Sequence, residues 1–242
     1  MTDQRITHTE RVRLLFDTKA PTWPAKYGPE GRHASRLARF ASAATHHVPV
    51  AGKLLDLGCG TGELARHITD AGWRVTGCDI SAEMLRCAAA TEPRNTVDWV
   101  QLAPDWTMLP FESMTFDVVF VSSVLEYVRS PGVVLSECAR VLRPGGFVIC
   151  TVPDIRHPVR WAEWPARAIA RSPLGHLTSR HWPRLECYLT YLRLSGQRRS
   201  AHWWSRLAAQ NGLHYPAPHP HQFHPLLLLI FQRPKLNGIG VA

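Results

Sequence analysis

The segment Leu55-Asp56-Leu57-Gly58-Cys59-Gly60-Thr61-Gly62 sets three glycines on alternate positions directly after a strand-like apolar run, and a helix-forming stretch opens at Glu63. Glycines so placed permit a tight turn and let a ligand lie against bare backbone, while the free N–H groups of a helix start favour negative charge. A second strand-like run ends in Asp79, 17 residues beyond Gly62, and a carboxylate at such a tip can accept both hydroxyls of a ribose. Spacing separates two ligand classes. A dinucleotide-binding turn reads GxGxxG, and its last glycine would fall at position 63, where this chain has Glu63 beside the place a pyrophosphate must approach. The ligand implied has a ribose and no pyrophosphate, a description that S-adenosylmethionine fits.

Such residues need a parallel sheet to hold them. From Lys53 the chain alternates strand-like and helix-like stretches, KLLDLGC, ELARHITDAG, RVTGCDI and SAEMLRCAAA, which argues for βαβ units. The rhythm continues through 97–102, 116–122 and 147–152, the last two apolar enough to be central strands buried on both faces. Ser130-Pro131 opens a helix that buries Val134, Leu135, Cys138, Val141 and Leu142, and Leu142-Arg143-Pro144-Gly145-Gly146 ends it. After Pro153 the rhythm breaks. Residues 155–197 read as an irregular helical insertion, 203–212 as a helix, and 226–231 as a last strand placed inside the sheet, since an exposed LLLLIF edge would invite aggregation. Ahead of Lys53, one amphipathic stretch at 35–44 reads as part of a helical N-terminal cap.

Length and composition bound the class. The 242 residues, 45% of them hydrophobic with nine tryptophans, suffice for one α/β domain and exclude a mainly disordered chain. The longest apolar run, 226–231, is far short of a membrane span, and the N-terminus MTDQRITHTERVR has no apolar signal core, so a cytoplasmic protein with no membrane partner is expected. Six cysteines form no CxxC pair, which fits a reducing compartment. Charge is uneven: residues 155–242 carry 12 Lys+Arg and 2 Asp+Glu, against 16 and 17 in the rest of the chain. A basic surface implies an anionic partner, whether nucleic acid, a phosphorylated metabolite or a carboxylate.

With these motifs in order the sequence resembles the class I S-adenosylmethionine-dependent methyltransferases, in the branch of the ubiquinone/menaquinone C-methyltransferases and many natural-product methyltransferases. LDLGCGTG is followed by Cys78-Asp79-Ile80, Leu109-Pro110-Phe111, Phe116-Asp117-Val118-Val119, Val124-Leu125-Glu126 and Leu142-Arg143-Pro144-Gly145-Gly146. The likeness is dense over 53–154 and topological beyond. It implies an α/β, Rossmann-like, seven-stranded sheet with helices on both faces and an antiparallel last strand. The expected organisation is a single domain with a helical cap over 1–50, the cofactor core over 51–154, a substrate-covering insertion over 155–197, and the last helix and strands over 198–242.

Carried over by position, the resemblance puts Gly58, Cys59, Gly60 and Gly62 under the methionine moiety of S-adenosylmethionine and Asp56 near its ammonium. Asp79 would bind the ribose hydroxyls, while Ile80 and Met84 would pack along the cofactor and Asp105 and Trp106 would meet the adenine. Ser122 would offer its carbonyl to the ammonium, and Tyr27 would close over the methionine end. Where the family often has a histidine this chain has Tyr127, so Tyr127 and His157 are the candidate catalytic groups if a proton must be removed. His219, His221 and His224 have the look of a metal tract, but with no Cys, Asp or Glu nearby no metal is expected. Cys59 and Cys78 are read as small turn residues rather than nucleophiles. Trp161, Trp164 and Trp182, with Tyr188 and Tyr191, make either an aromatic acceptor pocket or the core of the insertion.

The reaction expected is methyl transfer to a small-molecule acceptor of secondary metabolism, aromatic or prenyl-like and open to an anionic group, by a monomer or homodimer. Two other readings remain: an RNA methyltransferase using the basic C-terminal third, against which stands the lack of a continuous Lys/Arg stripe, and a cofactor-binding protein that transfers no methyl.

Overall fold

Lys53–Leu57 (β1) is apolar on both faces apart from its aspartate, and it lies at the centre of a sheet. It pairs in parallel with Arg74–Asp79 (β2) on one side and Phe116–Ser122 (β4) on the other, Leu54 facing Val75 and Val118 respectively. Val97–Gln101 (β3) adds beyond β2, and Leu142–Pro153 (β5) beyond β4. The computed structural model describes residues 6–24, 34–92, 94–172, 182–216 and 224–235. Leu226–Gln232 (β6) closes the order β3-β2-β1-β4-β5-β6 and runs antiparallel to β5.

The sheet among the described residues has six strands, not the seven expected. The position of the missing strand is held by one bridge, in which His214 and Gln232 exchange N–H···O bonds of 2.8 and 2.7 Å. Pro216 follows, and it has no N–H for the next rung, so the ladder cannot extend. β6 is therefore the end strand rather than an interior one, and its apolar side chains are still buried, Ile230 and Phe231 completely.

Helices cover both faces. Leu37, Phe40 and Ala44 of Ala34–His47 (α2) and Leu64, Ala65 and Ile68 of Glu63–Thr69 (α3) pack with Trp73 on Leu54, Val118, Phe120 and Ile149. On the opposite face Val134, Leu135 and Cys138 of Pro131–Val141 (α5) and Trp204 and Ala208 of Ala201–Gln210 (α8) pack on Leu55, Leu57, Val119 and Val121. Ala82–Ala90 (α4) starts at Ser81, whose Oγ accepts from the Met84 N–H at 3.0 Å, the usual N-terminal cap.

Two further groups of helices lie at the carboxyl ends of the strands. The insertion after β5 is more regular than its composition implied: Val159–Arg171 (α6) and Pro183–Leu194 (α7) pack through Ala170, Leu189 and Leu192. His8–Lys19 (α1), which hydropathy did not single out, buries Val12 and Leu15 against Leu194. The N-terminal region thus splits into a sheet-covering helix, α2, and a site-covering helix, α1. No helix among the described residues is long and apolar enough to cross a membrane.

Candidate functional site

The strand order reverses between β1 and β4, and in open parallel sheets the crevice at that point is where ligands bind. Here a cavity of about 700 Å³ opens there, floored by strand tips and walled by α1 and the insertion. Its floor is the glycine turn. Gly58, Gly60 and Gly62 have φ of 74°, 56° and 78°, which side chains rarely adopt. A Cβ on Gly58 would run into Val124 and one on Gly62 into the Trp99 ring, whereas one on Gly60 would meet only the Met84 Sδ, 4.0 Å away. Gly60 therefore keeps a cradle open on the cavity side, while Gly58 and Gly62 let the turn pack down.

Asp79 braces this turn from β2. Its Oδ2 accepts from the Gly60 N–H and its Oδ1 from the Ser81 N–H, both at 2.9 Å. Burial raises its pKa, opposed by the amides of Ser81, Gly60 and Ile80. Gly58, Gly60, Asp79, Ile80 and Met84 all line the cavity. So do Asp105 and Trp106 from the loop after β3, and Ser122 at the tip of β4. Ser123 beside it takes φ 57° and donates its N–H to Thr151 Oγ1 at 3.0 Å, which fixes how the β4 tip is presented.

Other expected site residues lie elsewhere. Asp56 is 1% exposed beneath the turn and off the cavity, with neither carboxylate oxygen hydrogen-bonded. Burial first, then Asp79 and Glu63, pushes its pKa up to about 7. Cys59 and Gly62 also sit off the cavity, and burial lifts the Cys59 thiol well above its ordinary value, so no thiolate forms there. His157 does not line the cavity; its Nδ1 accepts from the Val159 N–H at 3.3 Å at the start of α6. Tyr27, His219 and His221 lie outside the described residues. His224 is described, and its Nδ1 accepts from the Leu226 N–H at 3.0 Å.

Tyr127 does line the cavity, and it belongs to an aromatic wall that the sequence pointed to only in part. The Phe16 ring stands edge-on to Tyr127 at 5.2 Å and to Trp23 at 5.8 Å, and Tyr191 lies 6.2 Å from Tyr127. The tryptophans of the insertion take no part: Trp161, Trp164 and Trp182 are exposed and face away, and Tyr188 does not line the cavity. α1 closes this wall by three polar contacts. His8 Nε2 donates to the Tyr127 carbonyl at 2.7 Å, Ser81 Oγ donates to Asp17 at 2.6 Å, and Arg13 bonds the same carboxylate at 2.6 Å.

Sequence reasoning missed a buried ion network on the far side. Glu126, 5% exposed and lining the cavity, accepts from Arg198 at 3.1 Å. Arg198 also lies 3.6 Å from Glu163, which pairs in turn with Arg160 and stands 3.8 Å from Arg167. Arg160 reaches the Pro225 carbonyl at 2.9 Å and Arg167 the Leu192 carbonyl at 2.9 Å. Burial raises the Glu126 pKa, and the arginines Arg198 and Arg160 act against it. Its Oε1 makes no hydrogen bond. No local signal marks these residues, because they come from three separate stretches of chain.

Comparison with known proteins agrees with this geometry. The family described as a methyltransferase domain matches residues 55–150. A demethylmenaquinone methyltransferase of Streptomyces avermitilis is 33% identical over 219 residues, covering 83% of this chain and 88% of that protein. Another, of Paenarthrobacter aurescens, is 33% identical over 150 residues, covering 62% of this chain and 57% of that protein. Among solved structures, the magnesium protoporphyrin IX methyltransferase of Synechocystis PCC 6803, with bound SAM, superposes with a TM-score of 0.66 at 16% identity, covering 96% of this chain and all of that one (100%); at that identity the likeness is one of fold.

Proposed function

Since the chain belongs to the class I S-adenosylmethionine-dependent methyltransferases, in their quinone-methyltransferase-like branch, we propose that it methylates a hydroxyl-bearing aromatic acceptor of the quinol type, with a prenyl-like tail. The observation that carries this reading is the continuity of one cavity. One end is the Gly60 cradle with Asp79, and the other is the aromatic wall of Phe16, Tyr127 and Tyr191. The chain's groups fit the cofactor: a buried carboxylate at a strand tip for the ribose, a glycine turn with the Gly60 side open, and the Asp105 carboxylate beyond Ile80 for an adenine amino group.

S-adenosylmethionine, when bound, supplies a methyl group already activated on its sulfonium. What remains for the protein is to hold the acceptor in line and keep water out. Asp79 orients the ribose, Ile80 and Met84 flank the adenine, and the Ser122 carbonyl faces the ammonium. α1 shuts the cavity over both partners. An aromatic hydroxyl must lose its proton as the new bond forms, and Glu126 lines the cavity with Oε1 unbonded while His157 stands off it. Glu126 is accordingly the group assigned to take that proton, with Tyr127 beside it positioning the ring.

A calorimetric titration with S-adenosylmethionine, followed by a methyl-transfer assay on 1,4-naphthohydroquinone, tests the proposal. Micromolar binding, weakened at least about 30-fold by Asp79→Ala, with transfer to the quinol is the expected result. Binding that survives Asp79→Ala unchanged would sink the cofactor placement, and transfer confined to non-aromatic acceptors would sink the acceptor class.

A further inference from the structure

Helix α6 is amphipathic with its polarity reversed. Arg160, Glu163 and Arg167, spaced three and four apart, turn inward to the ion network, while Val159, Trp161, Trp164 and Ile169 turn outward to solvent. Trp161 is 71% and Trp164 75% exposed, and Trp182, just ahead of α7, is 69% exposed. Scattered apolar residues on a surface need no explanation, but three neighbouring tryptophans with a valine and an isoleucine mark an interaction surface. Their fringe is basic: Arg156, Arg171 and Arg184 are exposed, and of the two acidic residues in 155–242 one, Glu163, is buried in the network while Glu186 alone is exposed.

We propose that the outward face of α6, with Trp182, seats the protein on the surface of an anionic lipid bilayer. Tryptophan bodies enter the headgroup and acyl boundary while the flanking arginines meet lipid phosphates. A second copy of this chain is the poorer occupant, because it would set one basic fringe against another. Docking is peripheral, consistent with the lack of any spanning helix among the described residues, and it replaces the expectation of no membrane partner. α6 also contributes Val159 and Arg160 to the cavity, so a seated α6 brings one wall of the cavity to the lipid surface. This inference goes beyond the methyl-transfer reading and does not draw on it.

Flotation of the full chain with vesicles tests it. Vesicles of phosphatidylcholine with one quarter phosphatidylglycerol should carry the protein up, those of phosphatidylcholine alone far less, and 1 M salt should release most of it, since screening then acts within about 3 Å. The double variant W161S/W164S should bind anionic vesicles at least about tenfold more weakly. It should also keep its S-adenosylmethionine affinity within about twofold, which reports an intact fold. A wild-type chain that stays behind, or a double variant that floats as the wild type does, would overturn the assignment. So would a self-association in solution that the double variant abolishes while vesicles go unbound. Vesicle binding retained by a chain that methylates no quinol would strike the proposed function and leave the membrane surface standing.

Discussion

Glu126 shows how little of a residue's chemistry resides in its identity. Its carboxylate is held between a cavity and two arginines, and burial raises its pKa despite them. Glu126→Gln should lower kcat on a quinol about 10²- to 10³-fold, leave S-adenosylmethionine affinity nearly unchanged and flatten the acid limb of the pH profile, with partial recovery in Glu126→Asp. His157→Ala, by contrast, should leave turnover within about twofold. Asp56 yields a different measurement. Its pKa rises on folding from an ordinary 3.8 to about 7, so the folded state holds this proton more tightly than the unfolded one. The stability tied to it is fully present below about pH 4 and is lost as pH climbs through about 7, up to about 4 kcal/mol. Denaturant midpoints of Asp56→Asn should fall less between pH 5 and 8 than those of the wild type. The glycines and Asp79 were legible in the sequence because backbone conformation and strand position force those residue types. Glu126 was not, because its partners Arg198 and Glu163 arrive from elsewhere in the chain.

At the level of elements, the strand and helix rhythm from Lys53 to Pro153 was readable because strands buried on both faces are apolar runs of the right length. Three elements escaped. The seventh strand shrank to the His214 bridge because Pro216 removes a donor. α1 escaped because its apolar face is only Val12 and Leu15 amid charges, and it is held as much by contacts at its ends. The tryptophans of α6 did not form the acceptor pocket because that helix turns its charges inward, the reverse of what pattern reading assumes. The α1 contacts also make a forecast. Asp17 receives both Ser81 and Arg13, so Asp17→Ala should loosen the cover. Stopped-flow should then show S-adenosylmethionine leaving about three- to tenfold faster, with kcat less affected, since removing one charge-assisted hydrogen bond costs about 1 to 2 kcal/mol.

Across the whole molecule, the excess of positive charge in the last third is smaller in effect than its count. Arg160, Arg167 and Arg198 are spent inside, joining α6, α7 and the segment after it to the tip of β4. Replacing Arg198 by Met strands two buried carboxylates, Glu126 and Glu163, and should cost about 3 to 5 kcal/mol, a fall of roughly 10 °C or more in Tm by calorimetry. The packing of α1 against α7 has one more consequence, for the order in which the chain acquires activity. Val12 and Leu15 emerge early in synthesis, yet their partner Leu194 comes near the end. Closing so long a loop is slow compared with forming the neighbouring βαβ units. The central sheet can therefore assemble while the first helix still waits at the surface, and competence to trap substrates is the last property a newly made chain acquires.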